Sequence, residues 1–218
     1  MPSTRALATA GGILYLVTIV TSIPAAALNA PLLAGAADAD PTAAAWSAVL
    51  EVVLALSCIG TAVVLYPVLR RAGEIGALGF VTARTLEAAI IVSGVITVLS
   101  LSSLREAGLA SDDPISSLLV ELHRWAFLLG PGLIPAVNAL CLAPTLYRAR
   151  LVPRVIPLVG MIGIPLLVFS AVATVFGLFA QTSPVAAALA APIALWELSL
   201  GIWLVARGFR PDAIARLV

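Results

Sequence analysis

Arg84 and Glu87 stand three residues apart inside one long apolar run, and Glu197 stands inside another. A spacing of three puts two side chains on one face of a helix. Ionisable groups within a membrane span are costly and mark a functional site by default. Counted from Gly76, Arg84 and Glu87 lie about 12 and about 16 Å into the third helix. Counted from Val185, Glu197 lies about 18 Å into the last one. Both depths are close to the midplane. The expected site is one arginine shared by two glutamates, formally one negative charge in excess. At low dielectric such a trio favours a bound cation or a retained proton. Glu87 and Glu197 are then the candidate acids. The plain alternative is a salt bridge that only clips two helices together.

Other candidates surround this trio. Glu51 lies about 7 Å below Trp46 along the second helix, on the side that carries Ser47 and Cys58. Glu121, His123 and Arg124 lie just outside Trp125, where Glu51 could meet Arg124 or His123 across a vestibule. The competing reading for the fourth-helix group is a solvated helical extension. Asn138 can hydrogen-bond across the bundle, though such bonds contribute little in membranes, about 1–2 kcal/mol at most. Trp196 either lines an apolar pocket or packs the core.

These residues need elements to hold them, and composition restricts which. Of 218 residues, 61% are hydrophobic and 11% charged. Mean hydropathy is +1.12. Soluble domains run at about 45–50% apolar and about 25% charged. A soluble enzyme and a disordered chain are thereby excluded. The net charge of +1, with no basic patch, leaves nothing for a nucleic-acid backbone. No nucleotide-binding glycine motif occurs. One histidine cannot supply a bis-histidine haem, and no Cys/His cluster has metal-ligand spacing. No cofactor or metal is therefore expected. Cys58 and Cys141 sit in apolar runs and read as small packing residues.

Six spans of a single all-α transmembrane bundle, residues 1–218, are expected at about 7–28, 45–68, 76–101, 114–147, 155–179 and 185–206. The Ala25–Ala30 stretch resembles a leader cleavage region, but the apolar run before it is too long, so it reads as a retained span. Charges alternate between the two sets of ends. One set holds Arg5, Arg70, Arg71, Arg148, Arg150, Arg154, Arg207, Arg210 and Arg216, against Glu74 and Asp212. The other holds Arg105 against Asp38, Asp40, Glu106, Asp112 and Asp113. By the positive-inside rule both termini are cytoplasmic, in the cell membrane.

The fourth span is too long for the bilayer. Asp113 and Pro114 signal its start. From there to Tyr147 is about 50 Å of helix, against about 30 Å of hydrocarbon. Gly130-Pro131-Gly132 and Pro135 should kink or break it. Spans one to three and four to six have opposite topology, a hint of the inverted repeats of transporters.

Three stretches resemble a bacterial multi-pass family known as domain of unknown function 4386. They are Gly79–Ala88, Leu122–Gly132 followed by Asn138 and Leu151–Arg154, and Trp196–Gly201. The resemblance covers nearly the whole chain. It implies a membrane protein of six or seven helices, with Arg84, Glu87, His123 and Glu197 as candidate positions, and no established activity.

Three functions compete. The first is binding or transport of a small polar or cationic solute at the midplane, with a homodimer as one way to complete so small a carrier. The second is an intramembrane enzyme on a lipid or isoprenoid, similar in kind to membrane-embedded terpene cyclases, with Glu87 or Glu197 as acid and Trp196 beside it. The third is a structural or regulatory membrane partner.

Overall fold

A computed structural model describes residues 3–36 and 38–217. The described residues form helices only: α1 Thr4–Leu33, α2 Pro41–Ala72, α3 Glu74–Glu106, α4 Pro114–Leu129, α5 Ile134–Ala149, α6 Val155–Val175, α7 Pro184–Ala206 and α8 Pro211–Ala215. Six stretches are long and apolar enough to cross a membrane, with α4 and α5 together counting as one.

The helix starts follow from their caps. Asp40, Asp113 and Ser183 each accept a hydrogen bond from a backbone N–H of the turn that follows, and each precedes a proline. The proline has no N–H to leave orphaned and arrives with a helical φ. Ser3 caps α1 in the same manner through Ala6. The helices outrun the apolar segments because these caps lie in the polar flanks. The fifth span stops early, at Val175 rather than near 179. Gly177 adopts φ 73° there, and Leu178 N donates back to the Ala173 carbonyl, which closes the helix although apolar residues continue.

The fourth span is broken, not merely kinked. Pro131 disfavours helical backbone at Gly130 and cannot donate to the turn before it. Gly130–Leu133 form turns, with Gly132 N donating to Phe127 O. A Cβ on Gly132 would stand 2.6 Å from the Leu128 carbonyl oxygen, so this crossing requires glycine. Pro135 then sits in the first turn of α5.

Helices α1, α2, α3, α5, α6 and α7 close a ring, each packed on the next and α7 on α1. A Cβ on Gly12 would stand 2.7 Å from the Gly201 carbonyl oxygen, so the α1–α7 seam is a backbone contact. Among the spanning helices, α4 stands outside the ring. Its one extensive partner is α3. The largest apolar cluster, including Phe80, Leu142, Trp196 and Leu200, fills the arginine-rich end. Two smaller clusters, around Leu54–Ile91 and around Leu32–Leu101, follow toward the acid-rich end. Apolar side chains such as Val20, Leu56, Ile96, Phe169 and Ile202 face outward, as expected of a surface solvated by lipid.

Candidate functional site

Helix periodicity brings the trio together. Arg84 and Glu87 face inward from α3, and Glu197 reaches across from α7. Arg84 Nη1 donates to Glu87 Oε2 at 3.0 Å, and Nη2 to Glu197 Oε1 at 2.6 Å. Asn138, in the first turns of α5, donates to the same Glu87 oxygen at 2.7 Å. The break before α5 thus sets Asn138 at the depth of the trio. The Arg84 side chain is 2% exposed, Glu87 5% and Glu197 13%.

Two aromatic rings share the arginine. Its Cζ lies 5.0 Å from the Tyr15 ring centre and 5.7 Å from that of Phe80. Such contacts stabilise a guanidinium kept from water, by about 2 kcal/mol when desolvated. Cys58 Sγ lies 3.5 Å from Nη1, and Nε is buried without a hydrogen-bond partner.

A cavity of about 140 Å³ adjoins the trio, between α1, α2, α3, the α4–α5 break and α7. Arg84, Glu87 and Glu197 line it with Thr18, Ser22 and Cys58. It has room for about four or five waters. Among the described residues, Glu87 Oε1 and Glu197 Oε2 take no protein hydrogen bond. Thr18 and Ser22 spend their hydroxyl protons on the Tyr15 and Ile19 carbonyls, which leaves their lone pairs free. Among the described residues of the lining, Arg84 is the one charged donor, and both of its terminal nitrogens serve the carboxylates.

A second cavity, about 360 Å³, lies further toward the acid-rich end and shares Ser22, Leu54, Ile91 and Pro131 with the first. Glu51 and His123 line it. A third, about 440 Å³, shares Ala26, His123 and Phe127 with the second and reaches Gln181 and Thr182 between α6 and α7. Neighbouring cavities share lining residues, which orders the three from the acid-rich end to the midplane, on the side where α4 makes no extensive contact with α1.

The outer group divides. His123 is buried against α3, with Nδ1 3.3 Å from the Gly94 carbonyl oxygen, rather than part of a solvated extension. Arg124 pairs with Glu121 on the exposed side of α4 and lies over the Trp125 ring. Arg124 borders the third cavity beside His123, but its guanidinium is turned to Glu121. Arg124 therefore does not meet Glu51. Glu51 instead accepts from Asn29 Nδ2 at 3.3 Å and faces His123 across the second cavity. Trp196 is fully buried with Nε1 unpartnered, against Gly160, and lines none of these cavities.

Sequence reasoning missed Tyr15, Phe80, Asn29 and Ser22. Tyr15 carried a signal. It lies eleven residues into α1, and Arg84 lies ten residues into α3, which places them at nearly equal depth from the same end. The other three carried none beyond their position in a span.

A family model described as domain of unknown function (DUF4386) matches residues 10–208. The chain belongs to the DUF4386 family. No curated protein and no solved structure matches it. All four candidate positions carried by the resemblance lie within the matched DUF4386 region, and all four line the cavity series.

Proposed function

We propose that this DUF4386 protein binds, and carries across the membrane, a small cationic or hydrogen-bond-donating solute held by Glu87 and Glu197. The observation that carries the reading is the lining of the 140 Å³ cavity. It offers acceptors, with two carboxylate oxygens free, while the arginine's terminal nitrogens serve the carboxylates and its Nε–H alone is left without a partner. A structural clip would have no need to keep a cavity beside unspent acceptors. One monocation offsets the excess charge of the trio, so burying it there avoids part of the cost of an isolated ion. The cavity series is the entry route. Arginine predominance at the opposite end supports a route that opens on the outer face of the cell membrane, with both termini inside.

The test is methylammonium and guanidinium binding to the purified chain in lipid nanodiscs. Saturable binding to the wild type is expected, with a loss of at least about tenfold in Glu87→Gln and in Glu197→Gln. Thermal unfolding of each variant checks that it folds. Absence of saturable binding to the folded wild type would falsify the reading.

A further inference from the structure

The trio has an acidic counterpart. Glu51 lies seven residues before Cys58 on α2, and Cys58 touches Arg84. Gly94, whose carbonyl meets His123, lies seven residues after Glu87 on α3. Seven residues are two helical turns, about 10 Å. Two separate walls of the passage therefore give the same axial spacing between the trio and the Glu51–His123 level.

Both levels offer acceptors. The Gly94 carbonyl can only accept, so His123 Nδ1 carries the proton and Nε2 of the neutral ring is an acceptor. Among the described residues, Glu51 makes a single hydrogen bond, from Asn29. Between the levels the wall is mainly apolar, with Ser22 the one polar residue among those that line both cavities. Leu54 follows Glu51 by one turn, Ile91 follows Glu87 by one turn, and these two residues line both cavities. The passage thus reads acid, apolar collar, acid. Three glutamates and one arginine leave a formal charge of −2, which a dication neutralises.

We propose, resting on the cation-binding reading above, that the solute is a linear α,ω-diamine. One ammonium sits among Glu87 and Glu197, a second at Glu51, and the methylenes between them pass Leu54 and Ile91. A span of about 10 Å corresponds to an extended chain of about seven or eight methylenes. Neither a lone metal ion nor a short monoamine would use the collar and the second acid together.

The experiment is calorimetry on the full chain in lipid nanodiscs, with a homologous series of α,ω-diamines and the matching monoamines. Empty nanodiscs correct for partition into lipid. Diamine affinity should peak near seven or eight methylenes and exceed that of the equal-length monoamine by at least about tenfold. Glu51→Gln should abolish the peak and bring each diamine to within about twofold of its equal-length monoamine in the same variant. Equal affinities for diamines and monoamines, or a peak that survives Glu51→Gln, would overturn this proposal and leave the cation site standing. If no amine binds, both proposals fall. The wild-type comparison needs no variant, so it decides even if Glu51→Gln does not fold.

Discussion

Arg84 holds two carboxylates that water cannot reach freely, so its loss should be felt first as instability. Removing one partner of a buried ion pair leaves charge uncompensated, at a cost of about 3–5 kcal/mol. Arg84→Met should therefore lower the thermal midpoint markedly. Adding Glu87→Gln and Glu197→Gln to Arg84→Met removes the stranded charges and should restore most of that stability. Binding of methylammonium should be lost in the triple variant, which lacks both carboxylates. Retained binding there would show that the trio is only a clip. The separation of stability from binding is what a single substitution cannot give. At this scale the sequence was informative because charge in an apolar run is rare enough to interpret residue by residue. Arg84, Glu87 and Glu197 were legible for that reason. Phe80 was not, because a phenylalanine in a span is ordinary and only the packed structure shows which one faces the guanidinium.

The element that organises the passage is the broken fourth span. Pro131 ends α4, Gly132 permits the crossing, and α5 restarts with Asn138 aimed at Glu87. The carbonyl of Leu128 leaves no space for a Cβ at position 132. Gly132→Ala must shift that backbone or the α5 start, at a cost of about 1–3 kcal/mol. Its expected phenotype is a lowered thermal midpoint together with weaker methylammonium binding, since Asn138 moves with the helix. A Gly132→Ala variant with unchanged midpoint and affinity would show that the break does not position the site. The prolines and glycines announced an interruption. Its outcome, a break with α4 packed on α3 and little else, depends on which neighbours α4 lacks, and a span's own sequence does not record that. The same gap explains His123. Its sequence neighbours are an exposed ion pair, while its helical face meets Gly94.

For the whole molecule, spans and charge alternation were readable because bilayer thickness and the positive-inside rule act on composition alone. The passage was not, since it arises from a ring of six helices that α4 fails to cover. These two facts make a joint prediction about sidedness. On the proposed transport reading the passage opens at the end that bears Asp38, Asp112 and Asp113, and the arginine-rich loop at Arg148–Arg154 lies at the other. In a Cys58→Ser, Cys141→Ala background, a cysteine at Ser111 should react in intact cells with a thiol reagent that cannot cross membranes. A cysteine at Arg150 should react only after the cells are opened. A cysteine at Ala26, which lines the second and third cavities, should react from the same side as Ser111. A long-chain diamine should slow that reaction and leave the one at Ser111 unchanged, because Ser111 lines no part of the passage. Labelling at Arg150 in intact cells would reverse the orientation. Labelling at Ala26 from the side of Arg150 alone would mean that solutes enter from the arginine-rich face, against the direction in which the three cavities run.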